Sequence, residues 1–127
     1  MKQSFEELVD VVKKTLEKCP WAKEQTIEKH KDEILSEAKE IINAVDKKDY
    51  ENLKEELGDL FYDILFICAI AEKEGLFTTK EVINGVKGKL IRRKPWVFGN
   101  ETVKSSEEAV KRWNEIKKKE KEYKQRK

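Results

Sequence analysis

The feature that most limits the fold is a continuous apolar stretch in a chain that is otherwise densely charged. Residues 60–71 read L-F-Y-D-I-L-F-I-C-A-I-A, whereas Asp, Glu, Lys and Arg make up 43% of the sequence. A helix with apolar side chains on nearly every face needs neighbours on every face. A small bundle rarely surrounds one of its own helices, so we expect a second copy, related by a two-fold axis, to cover one side.

Local signals predict where the first two helices begin and end. A capping box formed by Ser4 and Glu7 is expected to open the first helix, which ends near Lys18 because a proline follows two residues later. Thr26 is expected to cap a second helix that reaches about Asp46. Apolar residues recur along both segments at the spacing of one helix face.

Three further helices are predicted from signals of the same kind. Their start and stop residues are Asp49 and Gly75 for the third, Thr78, Glu81 and Pro95 for the fourth, and Ser105 with Glu108 for the last. The stretch 96–100 between the last two is expected to be irregular. No alternating apolar run predicts a strand, so we expect an all-α bundle of about five helices, completed by dimerisation.

Two pairs of carboxylates are the first candidates for a functional site. Glu37 and Glu40 lie three residues apart on the second predicted helix, and Glu56 and Asp59 have the same spacing on the third. Residues three apart share a helix face, so the four carboxylates converge if these helices pack antiparallel. Four anions in one place repel one another unless a cation neutralises them, and oxygen ligands suit a hard ion such as Mg²⁺.

Chance offers a plainer explanation for these pairs. Acidic residues are abundant, and Glu7 and Asp10 also lie three apart, so such pairs are commonly solvated helix faces. Asp63 favours a functional site, because it lies one turn beyond Asp59 and inside the apolar stretch. A buried carboxylate needs a partner, and we expect a metal ion or a buried Lys or Arg.

A basic cluster near the end of the fourth helix is the second candidate. Lys89 and Arg93 lie four residues apart, with Arg92 and Lys94 beside them. Such a group suits phosphate oxygens, which Arg can bind through two donors at once. The alternative is an exposed helix end whose positive charge interacts favourably with the helix dipole.

Aromatic residues and the lone histidine give weaker signals. Trp21, Trp96 and Trp113 are candidates for stacking on a nucleobase, although a single Trp is more often part of a core. His30 has no Ser or Cys partner in a recognisable arrangement, so we interpret it as structural or exposed.

Composition and charge limit the cellular compartments and the binding partners that we expect for this chain. A net charge of +2 argues against nucleic-acid binding through bulk charge, and no run of about 18 apolar residues predicts a membrane span. The start of the chain lacks the apolar segment of a signal peptide, so we expect a cytoplasmic protein.

We expect one domain over residues 1–127, with a frayed basic tail from about residue 117. The basic residues of that tail are Lys117, Lys118, Lys119, Lys121, Lys124, Arg126 and Lys127.

Five motifs follow one another from residue 19 to residue 99. They are C-P-W at 19–21, E-Q-T at 24–26, S-E-A-K-E at 36–40, E-E-L-G-D-L at 55–60 and K-L-I-R-R-K-P-W-V-F-G at 89–99. In this order they resemble the MazG family of all-α nucleoside triphosphate pyrophosphohydrolases. The resemblance extends from about Cys19 to Ile116, which is most of the chain.

The resemblance implies a reaction and a set of residue roles. A ribo- or deoxyribonucleoside triphosphate would be hydrolysed between its α- and β-phosphates to monophosphate and pyrophosphate, with Mg²⁺, or Mn²⁺ in its place, as part of nucleotide-pool house-cleaning. The implied roles are metal binding for Glu37, Glu40, Glu56 and Asp59, catalysis for Glu37 and Glu40, phosphate binding for Lys89 and Arg93, and base contact for Trp113.

Two positions depart from the family pattern. Ser36 stands where the family has the first of two adjacent glutamates, which favours an alternative in which the chain is a non-catalytic nucleotide- or metal-binding regulatory protein. Asp63 stands where related chains tend to carry an uncharged residue. We expect it to support the site from outside the ligand shell or to raise its negative charge. A narrower dUTPase- or dCTPase-like specificity stays open.

Overall fold

The computed structural model describes residues 1–126, without the side chain of Arg126, and every regular element in that part is helical. The all-α prediction is therefore confirmed. The helices are α1 (Lys2–Lys18), α2 (Pro20–Lys23), α3 (Ile27–Asp46), α4 (Tyr50–Lys73), α5 (Thr79–Arg93), α6 (Pro95–Phe98) and α7 (Ser106–Arg126). These helices form two compact units, one ending at Thr79 and the other beginning at Lys80.

Most of the helix ends predicted from the sequence are found in the structure. Thr26 Oγ1 accepts a hydrogen bond from the Lys29 N–H at 3.1 Å, and Asp49 Oδ1 accepts one from the Asn52 N–H at 3.2 Å. Each bond satisfies a backbone donor that the first turn of a helix leaves unpaired. Gly75 has φ 73°, the left-handed conformation that commonly ends a helix.

The predicted capping box at Ser4 is wrong, because α1 begins at Lys2 with Met1 at its N-cap and no side-chain cap. Glu7 receives a hydrogen bond from Gln3 Nε2 at 3.0 Å instead. Nothing in the first residues opposes a helix, since Lys and Gln both have good helix propensity. The helix therefore continues past Ser4 to the start of the chain.

Both prolines start short helices that the sequence interpretation missed. Pro20 begins α2 and Pro95 begins α6, each of a single turn. The fixed φ of proline suits the first position of a helix, where its missing N–H costs nothing. The stretch 96–100, predicted to be irregular, therefore starts with helical residues up to Phe98.

The first unit is built around the antiparallel pair α3–α4, with α1 packed on α4. A three-residue connection joins the pair, and Lys48 adopts a left-handed conformation there with φ 55°. Its N–H and that of Asp49 bond back to the last turn of α3, so the chain reverses at once. The buried core residues are Val12, Leu16, Ala22, Leu65, Phe66, Ala69 and Ile70.

The two halves of α4 differ in burial. Its C-terminal half is largely buried, but Leu57, Phe61 and Ile64 are 44%, 54% and 42% exposed. They are spaced four and three residues apart, so they share one face of the helix. Within the part of the chain that the structure describes, this face of α4 is therefore left exposed.

Glu72 supports the junction between α4 and α5. Its Oε1 accepts the Thr79 N–H at 2.6 Å and its Oε2 lies 3.3 Å from Lys13 Nζ. The hydrogen bond from Thr79 is the main cause that lowers the pKa of Glu72, and Lys13 adds to it. A group with a lowered pKa stabilises the fold above its unfolded-state pKa and loses that contribution as the pH falls through its folded-state pKa.

We expect Glu72→Gln to lower the free energy of unfolding by about 1–2 kcal/mol at neutral pH, because hydrogen bonds to a charged acceptor are lost. The difference from the wild type should shrink as the pH falls below the folded-state pKa. Urea unfolding at pH 7 and at pH 3 measures both. Glu51→Gln is the control, since Glu51 pairs with Lys54 on an exposed surface and should change little. A difference that persists at low pH would contradict this account.

Candidate active site

The antiparallel pairing of α3 and α4 brings the predicted carboxylates together. One oxygen each from Glu37, Glu56 and Asp59 lies within 4.8 Å of the other two, so a single ion could contact all three. Glu40 stands outside this group of three oxygens but interacts with Glu56 through its carboxyl group. All four residues predicted as metal ligands therefore face one another across the two helices.

Two oxygens of this cluster are buried without a hydrogen-bond partner. They are Glu37 Oε2 and Glu56 Oε2. A buried carboxylate oxygen left unpaired is costly, and a cation at this point would remove that cost. The donor set is made of carboxylate oxygens alone, which suits a hard divalent ion better than a thiophilic one. The residues present therefore fit the divalent cation that the sequence predicts.

Burial and crowding raise the pKa values of three glutamates in this cluster. Burial is the main cause that raises the pKa of Glu37, and nearby negative charges add to it. A hydrogen bond with Glu56 and the charge of that residue raise the pKa of Glu40. For Glu56, the bond with Glu40 lowers the pKa, but contact with Glu37 and burial outweigh it and raise the pKa overall. The three glutamates thus resist being charged together, as expected for anions held close.

Asp63 has a partner that the sequence interpretation did not anticipate. Among the side chains that the structure describes, no Lys or Arg pairs with it, and Asp63 Oδ1 instead lies 3.1 Å from His30 Nε2. Both side chains are buried, with Asp63 6% and His30 2% exposed. Burial raises the pKa of Asp63, and the hydrogen bond with His30 opposes that shift. The sequence interpretation expected a metal ion or a buried Lys or Arg as the partner of Asp63, whereas the structure places His30 there, a residue interpreted as structural or exposed.

The position of His30 in the helix explains this pairing. It lies on α3 seven residues, or two turns, before Glu37, and so shares a face with the carboxylates. Its ring centroid lies 4.7 Å from that of Phe66 and 6.4 Å from that of Trp21. The same spacing argument that linked Glu37 and Glu40 could have placed His30 on this face. Asp63 and His30 extend the polar face of the two helices into the core.

The second unit gathers the predicted basic and aromatic residues. The Cζ atom of Arg93 lies 5.1 Å from the centre of the Trp113 ring, and Lys94 Nζ lies 5.9 Å from it. Both distances allow a favourable cation–π contact. Lys89 is exposed on α5, one turn before Arg93. Two of the three residues predicted to bind substrate, Arg93 and Trp113, are therefore in contact.

Glu120 is the residue of this cluster that the sequence interpretation missed. It lies in the segment predicted as a frayed basic tail, of which Lys127 is outside the described residues. Its carboxylate accepts hydrogen bonds from Arg93 and from Arg92. Burial alone would raise the pKa of Glu120, but the two guanidinium groups hold it below its usual value. Glu120 lies seven residues after Trp113, a spacing that places both on one face of α7.

A cleft of about 410 Å³ lies beside these side chains in the second unit. It is lined by Leu90, Lys94, Trp96, Ala109, Val110 and Trp113. Trp96 and Trp113 thus share one concave surface, whereas Trp21 packs on Phe66 in the first unit with ring centroids 5.9 Å apart. Of the three tryptophans proposed for base stacking, two line this cleft.

Residues 25–98 match the family model described as the MazG nucleotide pyrophosphohydrolase domain. The chain belongs to the MazG family. It is 41% identical over 119 residues to the nucleoside triphosphate pyrophosphohydrolase/pyrophosphatase MazG of Thermotoga maritima, an alignment covering 92% of this chain and 45% of that protein. It is 36% identical over 99 residues to the nucleoside triphosphate pyrophosphohydrolase of Escherichia coli K12, covering 78% of this chain and 38% of that one.

The structure agrees with this membership. A crystal structure of a MazG-related protein from Thermotoga maritima superposes with a TM-score of 0.79 at 41% identity, covering 89% of this chain and 98% of that one. By contrast, the chain spans less than half the length of the two curated relatives named above. None of the helices described here is long and apolar enough to cross a bilayer.

The buried His30–Asp63 pair allows a direct test of what holds α3 on α4. We expect His30→Phe to destabilise the fold by about 3 kcal/mol, because it leaves Asp63 buried without its partner. Combining it with Asp63→Leu should recover most of that loss, since the buried charge is then gone. Urea unfolding of the two single variants and the double variant measures the coupling. A double variant no more stable than His30→Phe would contradict this role.

Proposed function

We propose that the chain is a divalent-cation-dependent nucleoside triphosphate pyrophosphohydrolase that converts a ribo- or deoxyribonucleoside triphosphate to its monophosphate and pyrophosphate. The observation that carries the proposal is the group of oxygens from Glu37, Glu56 and Asp59, two of which belong to side chains with a buried, unpartnered atom. The names of the relatives support the same reaction. House-cleaning of cytosolic nucleotide pools is the role we assign to it.

In this mechanism the four carboxylates of α3 and α4 hold the cation and orient the reacting groups. Mg²⁺, or Mn²⁺ in its place, would supply positive charge against the triphosphate and Lewis acidity toward water. Glu37 or Glu40 orients the attacking water and accepts its proton. The water oxygen bonds to the α-phosphorus as the bond between that phosphorus and the bridging oxygen breaks. Pyrophosphate leaves and keeps the bridging oxygen. No covalent enzyme intermediate is needed.

The basic residues of α5 complete the proposal. Lys89 and Arg93 would bind the β- and γ-phosphates, because their positive charge offsets the charge that develops on the leaving pyrophosphate. Trp113 would contact the base, and the cleft that it shares with Trp96 supplies apolar surface for that contact.

Ser36 favours a second candidate function, that of a non-catalytic nucleotide- or metal-binding protein. It is exposed beside Glu37, at the position where the family carries its first glutamate. If the missing carboxylate is essential for activating water, the chain would bind nucleotide and cation without turnover. Chromatographic analysis of products from a panel of nucleoside triphosphates, with and without Mg²⁺, separates the two functions. Monophosphate and pyrophosphate that disappear on chelation support the enzyme, and Mg²⁺ binding without products supports the binding protein.

We expect Glu40→Gln and Asp59→Asn to lower kcat by at least about 100-fold, because each removes a charge that holds or serves the cation. Asp32→Asn, on the exposed surface of α3, is the matched control and should retain activity. Circular dichroism should show the same helix content in all three variants. Wild-type turnover by either active-site variant would refute the assignment.

We further propose that the active form is a homodimer. The exposed apolar residues of the first unit follow α4 at Leu57, Phe61 and Ile64 and continue on α3 at Leu35, Ile42 and Val45. A second copy presents the same apolar face, so a two-fold axis can bury both at once. On α4, this face is rotated away from the one that carries Glu56 and Asp59.

We expect Phe61→Glu to shift the protein from dimer to monomer, because it would place a charge in the centre of the apolar face. Light scattering coupled to size-exclusion chromatography measures the molar mass. Val11→Glu is the control, since Val11 is equally exposed but lies on α1. A wild-type protein that is monomeric at micromolar concentration would contradict the proposal.

A further inference from the structure

Arg93 is held from two sides by side chains of α7. Its guanidinium lies over the Trp113 ring, and Glu120 accepts hydrogen bonds from Nε at 3.4 Å and from Nη2 at 3.3 Å. The Arg93 side chain is 12% exposed, far less than the 58% of Arg92. Trp113 and Glu120 therefore hold the more buried of the two arginines.

Glu120 also accepts a hydrogen bond from Arg92 Nη2 at 3.2 Å. One carboxylate thus serves two guanidinium groups, and the three side chains together keep a positive charge. An anion that approaches this cluster still meets net attraction. The acidic residue does not neutralise the site.

We propose that Glu120 is a positioning residue for phosphate binding, holding the Arg93 guanidinium against Trp113 so that its Nη1 edge is presented to the phosphates of the nucleotide. The inference rests on the proposed function, which gives Arg93 its role. Glu120 engages the Nε and Nη2 side of the guanidinium. Glu120 therefore does not engage Nη1, and a guanidinium can offer two donors at once to phosphate oxygens.

Holding Arg93 in place would strengthen phosphate binding because it lowers the conformational entropy that the side chain loses on binding. A free arginine samples many rotamers, and it must lose that freedom when it binds a phosphate. An arginine already held by a carboxylate and an aromatic ring has lost it before the nucleotide arrives. The opposite possibility is that Glu120 competes with phosphate for Arg93. The two roles predict opposite changes in affinity when Glu120 loses its charge.

The test measures binding of inorganic triphosphate with Mg²⁺ by isothermal titration calorimetry, because this probe has phosphates but no base. Glu120→Gln preserves the shape of the side chain and should raise Kd by about tenfold. The KM for nucleoside triphosphate should rise by a similar factor with kcat within about twofold of the wild type. Glu101→Gln is the matched control, since Glu101 makes an equivalent pair with Arg112, at 2.8 and 3.0 Å, and should leave Kd unchanged.

A double-mutant cycle separates positioning from a structural role. Arg93→Ala should weaken binding by itself, and adding Glu120→Gln should cause no further loss, because Glu120 acts through Arg93. Tighter binding by Glu120→Gln, an equal loss in Glu101→Gln, or an additive loss in the double variant would each overturn the inference. A wild-type protein that does not bind triphosphate overturns it as well. Binding without nucleotide hydrolysis would refute the proposed function alone.

Discussion

Mutual repulsion among the carboxylates of α3 and α4 is the constraint on which the first unit depends. An antiparallel pair that aligns Glu37 and Glu40 with Glu56 and Asp59 is destabilised by its own charges in the absence of a cation. The pair must therefore be held by contacts elsewhere along its length. On α3, His30 contacts Phe66 of α4 and Ile27 packs against the same core cluster, and these residues provide such contacts. The acidic site is tolerated because the apolar half of α4 anchors it.

His30 and Asp63 lie where the acidic face meets this core. Asp63 brings one more carboxylate toward a region that already repels negative charge, and His30 offers it a hydrogen bond. The aromatic rings of Phe66 and Trp21 surround the imidazole, so the pair is as much a part of the core as of the polar face. This explains how a charged residue can interrupt the apolar stretch of residues 60–71 without ending the helix.

Short-range signals in the sequence predicted most of the helices. They could not predict pairs of side chains that are far apart in the sequence. Thr26 and Asp49 cap helices through backbone donors three residues away, which local spacing reveals. The carboxylate site could be predicted because two local pairs needed only one assumption, that their helices are antiparallel. His30 and Asp63 are 33 residues apart, and Glu120 pairs with arginines 27 and 28 residues earlier. No periodicity within one helix reports such partners.

The carboxylates of the first unit and the basic residues of the second unit are ordered in different ways. Glu37 and Glu56 project from helices that pack directly on each other, and each has a buried carboxylate oxygen, so neighbouring atoms restrict both side chains. The basic residues of α5 have long side chains, and a backbone position alone does not fix a guanidinium. A partner for Arg93 is therefore needed on physical grounds, and α7 supplies it through Trp113 and Glu120. The part of α7 that reads as a basic tail in the sequence thus helps to hold the arginine for which we propose a role in phosphate binding.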